Sequence, residues 1–126
     1  MTMRDALMAT LILAAPIGGC AAQPVPAAAV QPLYGVMGRM IALPGQRERL
    51  IAILTDATRS MPGNRSYVVA RDLKDANAVW ISEVWDSRAA HAASLTLPQV
   101  QRAIIAARPL IAGFDSRVET EPVRAH

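Results

Sequence analysis

The sequence predicts an α+β domain in which a four-stranded antiparallel sheet carries two helices on one face. Apolar residues alternate with a period of two in four segments, and in two other segments they follow a helical period. The resulting order is βαββαβ, with turn residues between the segments. The domain is expected over residues 33–123, about ninety residues, which suffices for one compact core and not for two.

The first half of the domain is predicted as a strand followed by a helix. The strand spans residues 33–43 and ends at Pro44-Gly45, a strong turn signal. The helix begins at Gln46, and Pro62-Gly63 ends it. Its apolar stripe at helical spacing consists of Leu50, Ile53, Leu54, Ala57 and Met61.

The second half is predicted as a hairpin, a helix and a last strand. Residues 65–72 and 78–85 are expected to pair as antiparallel strands because a short, turn-rich connector, residues 74–77, joins them. Asp86-Ser87 offers a side-chain cap to a helix that begins at Arg88, and Pro98 interrupts this helix and permits a fresh first turn. The apolar stripe consists of Val100, Ala103, Ile104, Ala107 and Ile111. Alternation returns after Gly113 in a strand over residues 114–120.

This order is the split β-α-β arrangement of a ferredoxin-like fold. On the third strand, the face toward the helices carries Val79, Ile81, Glu83 and Trp85. The opposite face carries Trp80, Ser82 and Val84, and no element of the chain is left to cover it. Because an exposed apolar sheet needs a second layer, we expect a homodimer that packs through this face, a dimeric α+β barrel.

The N-terminal segment is typical of an export signal. In residues 1–19 an apolar run over residues 6–17 precedes small residues, and the run is shorter than the roughly 20 residues that span a bilayer. Cys20 follows Ile17-Gly18-Gly19, which resembles the lipobox of bacterial lipoproteins; the resemblance implies acylation of the Cys20 thiol. The alternatives are a plain cut near Ala21, or Cys20 as an ordinary small apolar residue.

A tether is expected between this signal and the domain. Residues 20–32 alternate small residues with prolines, a composition typical of an extended linker, and residues 124–126 form a short tail. With Cys20 acylated, the domain is expected in the cell envelope, with the lipid as its only membrane contact. Ala21, rather than Asp, after the cysteine resembles lipoproteins sent to the outer membrane, which implies its periplasmic side. Without acylation it is expected to be periplasmic.

Composition and motif spacing argue against several function classes. The net charge of +3 is spread along the chain without basic runs or stacking aromatics, so no nucleic-acid partner is predicted. His91 and His126 lie far apart and Cys20 lies in the leader, so no metal site is predicted. A Gly-rich dinucleotide loop is absent, and neither nicotinamide nor flavin is predicted as a cofactor.

Several side chains are candidates for a site on the helix-facing side of the sheet. Trp85 stands where a strand meets a helix, either as core packing or as the wall of a pocket for a flat ligand. Glu83 shares its face; either Arg71 or Arg102 pairs with it, or it is a general base with a raised pKa. Asn64 and Arg65 stand at the start of the second strand, where an amide or a guanidinium could contact a ligand oxygen. Their presence is explained equally well as ordinary polar residues of a loop.

Residues 34–123 resemble the antibiotic biosynthesis monooxygenase family of small dimeric α+β barrels. The resemblance rests on the element order and on the segments Met61-Pro62-Gly63, Ser66-Tyr67 and Glu83-x-Trp85-x-Ser87, followed by a helix with Pro98. The family includes cofactor-free quinol and polyketide monooxygenases, and the same fold serves haem degraders, decarboxylases and isomerase-like enzymes.

The resemblance implies roles for two residues. Trp85 matches a tryptophan that lines the substrate cavity, and His91 occupies the position of a tyrosine that exchanges a proton with a phenolic substrate. The sequence departs from the family pattern at Ser94 and Gln99, where many members carry histidines, and at Ile81, where the polyketide-type enzyme carries an asparagine. The haem degraders' asparagine also lacks a counterpart, so haem cleavage is not expected.

These residues predict a cofactor-independent monooxygenase that acts on a quinol or another phenolic aromatic with dioxygen. Trp85 would stack the ring of this small aromatic molecule, and His91, aided by Glu83, would take its proton. One alternative is a non-catalytic envelope protein of the same fold, either a binder of small molecules or a structural module. Another is an enzyme with different chemistry, such as isomerisation, that uses the same His91.

Overall fold

The structure, a computed structural model, describes Gly19 and residues 31–124 of the chain. The predicted signal peptide apart from Gly19, the lipidation site Cys20, most of the tether and the last two residues of the tail lie outside the described residues. Of the helices in the described part, none is long and apolar enough to cross a membrane.

The described part folds as the predicted ferredoxin-like α+β domain. Its elements are β1 (Tyr34–Ala42), α1 (Arg47–Ala57), β2 (Asn64–Arg71), β3 (Ala78–Trp85), α2 (Arg88–Ser94), α3 (Pro98–Ala107), a short 3-10 helix (Arg108–Leu110) and β4 (Ile111–Thr120). The four strands form one antiparallel sheet in the order β2-β3-β1-β4.

The predicted second helix is two helices. The Ser87 hydroxyl accepts a hydrogen bond from the Ala90 N–H at 3.1 Å, so the predicted cap is confirmed. Pro98 stands in the first turn of α3, where the missing N–H costs no helical hydrogen bond. Gly63 has a positive φ of 79°, and a Cβ there would lie 2.7 Å from the Ala90 Cβ. The Pro62-Gly63 turn therefore packs closely against α2.

Two predicted helix residues lie outside the helices. Helix α1 ends at Ala57, and Met61 packs from the following loop. Ile111 is the first residue of β4, opposite Ala42, so the last strand begins three residues before the predicted start at Phe114. The reason is tertiary: Pro109 lies in the 3-10 turn that turns the chain back toward β1, and pairing with β1 begins directly after it.

Two apolar clusters lie between the sheet and the helices. The Leu50 cluster consists of Ala42, Leu50, Val79, Ile81, Ala107 and Leu110. The Trp85 cluster consists of Tyr34, Val36, Met61 and Trp85. Alternation along β1 and β3 supplies the sheet residues of both clusters, because successive side chains of a strand point to opposite faces.

Much of the other face of the sheet is apolar and uncovered in the described part of the chain, while Arg39 lies over the Trp80 ring and pairs with nearby aspartates. Met37, Val68 and Val118 are each about half exposed, and Trp80 is 37% exposed. Val68 and Met37 flank Ser82, and Val118 continues the same row across the sheet. This uncovered face agrees with the alternation in the sequence, while the homodimer expected from it stays a prediction.

Candidate functional site

A cavity of about 540 Å³ lies between the helix-facing side of the sheet and the helices. We call it the sheet–helix cavity. The sheet contributes the side chains of Met40, Tyr67, Glu83, Trp85, Ile111 and Phe114. Helix α3 contributes Val100, Ala103, Ile104 and Ala107, and α2 contributes His91 and Ser94. The lining is mostly apolar with a few polar groups, as is usual for small-molecule sites.

Glu83 is the carboxylate of the cavity. Its side chain is 14% exposed, and its Oε2 accepts a hydrogen bond from the Trp85 indole N–H at 2.8 Å. Burial raises the pKa of Glu83, although the Trp85 hydrogen bond, His91 and the more distant Arg117 oppose the rise. Glu83 is therefore held by one neutral donor and one imidazole in a place that disfavours its charged form.

The arginines considered as partners of Glu83 do not pair with it in the described part of the chain. Arg71 instead makes two hydrogen bonds to Glu48 of α1, at 2.8 and 2.6 Å. It lies on the helix-facing side of β2, opposite Val79, four pairs along the ladder from the pair that Glu83 forms with Tyr67. Arg102 is exposed on α3. Of the two alternatives for Glu83, pairing with Arg71 or Arg102 is therefore wrong, because the register places Arg71 next to Glu48 and away from Glu83.

His91 lies on α2 beside Glu83. Its Nε2 is 3.7 Å from the Glu83 Oε2, and its side chain is 15% exposed. The imidazole packs against two aromatic rings, with centroid distances of 5.3 Å to Tyr34 and 5.4 Å to Trp85. Its backbone carbonyl accepts a hydrogen bond from the Ser94 hydroxyl at 2.6 Å. The ring is thus confined by packing, with one nitrogen toward the carboxylate.

Trp85 combines the two alternatives considered for it. The residue is 1% exposed and belongs to a buried cluster, and it also lines the sheet–helix cavity. Its position at the end of β3, opposite Tyr34, brings the indole next to His91 of the following helix. Its N–H is bonded to Glu83, so the indole orients the carboxylate, and at this burial only the rim of the ring borders the cavity.

Tyr67 is a cavity residue that the sequence analysis did not single out as a site. It lies directly opposite Glu83 on the neighbouring strand and lines the cavity. Burial, reinforced by the Glu83 carboxylate, raises the pKa of Tyr67 well above its usual value, so the hydroxyl stays protonated. Within residues 31–124 it has no hydrogen-bond partner. The hairpin register over the connector 74–77 is the sequence signal that pairs Tyr67 with Glu83.

The structure places Asn64 and Arg65 outside the cavity lining. The Asn64 side-chain amide donates to the carbonyls of Ser66, at 3.1 Å, and Val84. Arg65 is half exposed and pairs with Asp86 at 2.5 Å. The register between β2 and β3 shifts between Asn64 and Ser66, and a bulge of this kind turns a side chain out of the regular alternation. Both side chains thus secure the start of β2.

A cluster of polar contacts formed by Tyr34, Glu119 and Arg88 borders the site. The Tyr34 hydroxyl donates a hydrogen bond to Glu119, and this bond raises the pKa of Tyr34 and lowers the pKa of Glu119. Arg88 lies 4.8 Å from the Tyr34 ring centroid and 3.3 Å from a Glu119 oxygen. These contacts fix the ring that packs against His91. Among the residues described, no group of three or more potential metal ligands occurs.

The fold and this cavity define a class: small ferredoxin-like α+β domains that enclose an apolar cavity between sheet and helices. Within that class the chain belongs to the antibiotic biosynthesis monooxygenase family, whose sequence pattern it matches over residues 33–105. The family resemblance noted in the sequence is thereby confirmed. Among curated protein sequences, none matches the chain significantly.

Several solved structures are similar to this domain. A candidate antibiotic biosynthesis monooxygenase from Chloroflexus aurantiacus J-10-fl is 58% identical, with a TM-score of 0.73 over 75% of this chain and 96% of that one. A candidate antibiotic biosynthesis monooxygenase from Caulobacter crescentus CB15 is 18% identical, with a TM-score of 0.68 over 75% and 93%. PA3566 from Pseudomonas aeruginosa is 17% identical, with a TM-score of 0.66 over 75% and 98%. The last two support the fold alone.

Proposed function

We propose that the protein is a cofactor-independent monooxygenase that oxidises a quinol or another phenolic aromatic with dioxygen. The observation that carries the proposal is the contact of His91 with both Glu83 and Trp85 at the edge of one apolar cavity. An imidazole is the side chain best suited to accept a proton near neutral pH. The cavity wall supplies a ring surface and excludes water around it.

The proton step falls to His91. A substrate hydroxyl that binds between Tyr67 and His91 gives its proton to the imidazole, and the nearby Glu83 carboxylate stabilises the imidazolium that forms. The protonated Tyr67 hydroxyl is a neutral donor with no other partner in the described part, so it can donate to the phenolate oxygen. Trp85 holds the Glu83 carboxylate in place through its indole N–H.

The oxidation balances without an added cofactor. The quinolate transfers an electron to dioxygen, and the resulting radical pair combines to a carbon–oxygen bond on the ring. Cleavage of the O–O bond leaves one oxygen atom on the product and releases the other as water. A hydroquinone and one dioxygen thus give a hydroxyquinone and one water, and His91 returns the proton that it took.

A second candidate is a non-catalytic binder of small aromatic molecules. The observation in its favour is the 3.7 Å separation of the His91 Nε2 from the Glu83 Oε2, which is longer than a hydrogen bond. In such a protein the same cavity would hold a ligand without turnover, and His91 would serve only as packing between Tyr34 and Trp85.

We also propose the setting in which this domain works. The uncovered row of Val68, Ser82, Met37 and Val118 favours a homodimer through the open sheet face, since monomers rarely leave such a patch in water. The lipobox-like segment before Cys20 favours an exported protein anchored by lipid in the cell envelope.

Oxygen consumption with a panel of hydroquinones, without added flavin or metal, tests the function. The wild-type domain should consume oxygen faster than the protein-free solution, and His91→Ala should lower kcat by about a hundredfold or more, the usual loss for a general base. Arg102→Ala, on the exposed side of α3, is the matched control and should keep full activity. If no phenol or quinol causes oxygen consumption while quinone analogues still bind, the protein is the non-catalytic binder and not a monooxygenase.

A further inference from the structure

The sheet–helix cavity is longer than one aromatic ring. On the helix-facing side of β1, Val36 lies opposite Glu83, whereas Met40 lies opposite Phe114 of β4. Four residues of strand separate these two positions, about 13 Å at 3.3 Å per residue. Glu83, Met40 and Phe114 all line the same cavity, so it extends along the strand from the carboxylate to Phe114.

Helix α3 follows the same length. Val100, near its start, packs against the Trp85 cluster, whereas Ala107, at its end, belongs to the Leu50 cluster. Between these ends, Ala103 and Ile104 of the same helix also line the cavity.

The two ends differ in chemistry. Tyr67, Glu83 and His91 supply the polar groups at one end. The rest of the lining is mostly apolar, and three of its large apolar side chains are exposed: Leu95 after α2 at 43%, and Ile104 at 37% and Phe114 at 65% at the far end. Arg108 also lines this end, and it is exposed to solvent. An opening rimmed by large apolar side chains is the place where a ligand would bury further apolar surface.

We propose that the substrate is an aromatic quinol that carries an apolar chain. The inference rests on the proposed function for the position of the ring, which lies against Trp85 with its oxygen between Tyr67 and His91. The chain runs along α3 and reaches the opening between Ile104 and Phe114. Selectivity then resides in the far half of the cavity, away from the groups that exchange the proton.

The test measures the Kd of 2-alkyl hydroquinones for the wild-type domain by titration calorimetry, under anaerobic conditions that prevent turnover. The series compares methyl, butyl and octyl chains with an octanoate-type chain that ends in a carboxylate. Each buried methylene should tighten Kd by about fourfold until the chain reaches solvent. Ile104→Ser should weaken the octyl compound about tenfold and leave the methyl compound unchanged. Ile105→Ser is the matched control, because Ile105 is 70% exposed on the same helix and does not line the cavity.

The outcomes separate this inference from the proposed function. Equal Kd values along the alkyl series, together with oxygen uptake from the methyl compound, would overturn the chain-binding assignment and keep the monooxygenase. Chain-dependent binding without any oxygen uptake would support the assignment and remove the enzyme. Tighter binding of the carboxylate-ended chain than of the octyl chain would overturn the apolar assignment in favour of recognition by Arg108. An equal loss in the Ile104 and Ile105 variants would overturn it as well.

Discussion

Tyr67→Phe removes one hydroxyl from the sheet–helix cavity and leaves the ring in place. In the described part of the protein this hydroxyl has no hydrogen-bond partner, so the substitution should change the free energy of unfolding very little. If the hydroxyl donates to a phenolate oxygen in the reaction, a hydrogen bond to a charged group worth about 1.5–3 kcal/mol is lost. The expected result is a fall in kcat/KM of about tenfold to 150-fold.

The pH dependence sharpens this prediction. Because the pKa of Tyr67 is raised by burial, the hydroxyl remains a donor across the working range, and the loss in Tyr67→Phe should be the same at pH 6 and pH 9. Steady-state oxygen uptake with a hydroquinone measures the loss, and thermal unfolding measures stability. Thr55→Val is the control, since its hydroxyl donates to the Ile51 carbonyl on α1 and does not line the cavity; it should spare kcat/KM. An unchanged kcat/KM in Tyr67→Phe would refute the proposed contact.

Three further expectations concern stability, assembly and processing. Burial raises the folded-state pKa of Glu83 above the ordinary 4.5, so its contribution to stability is present below that pH and is lost as the pH rises. Glu83→Gln should therefore match the wild-type Tm near pH 4 and exceed it at pH 8, and a constant difference in thermal scans would contradict the buried-carboxylate account. Met37→Asp should dissociate the expected dimer in light scattering, because a charge in an apolar interface is left without water or partner, whereas Ile105→Asp should not. Mass spectrometry of the exported protein should find an acylated Cys20, and a free N-terminus at Gln23 would rule out the lipid anchor.

The element order could be predicted from the sequence because periodicity is a local property. The alternation in residues 78–85 and the stripe around Leu50 require no knowledge of distant residues, and both elements are observed. Ser87 and Pro98 likewise act within one helical turn, so the helix starts near them were predicted well. The predicted boundaries of the elements were less accurate. The start of β4 at Ile111, for example, depends on pairing with Ala42, which is distant in the sequence.

The candidate site was determined only in part by local signals. Glu83 and Trp85 share a strand face, and their placement in one cavity with His91 followed from the alternation together with the family resemblance. Asn64 and Arg65 belong to a bulge, which breaks the alternation that an argument from sequence must assume. Their side chains therefore lie outside the cavity and bind the backbone of Ser66 and Val84 and the carboxylate of Asp86.

Partners across the fold depend on tertiary structure. The register between β2 and β3 sets Tyr67 opposite Glu83 and carries Arg71 to Glu48, although Arg71 and Tyr67 share a strand face. The alternation of a strand predicts which side chains share a face. It does not predict which polar side chains lie opposite each other, because that depends on the register between strands. The sequence thus determined the elements and their buried faces, while the packing of α2 and α3 on the sheet decided that His91, Glu83 and Tyr67 border one cavity.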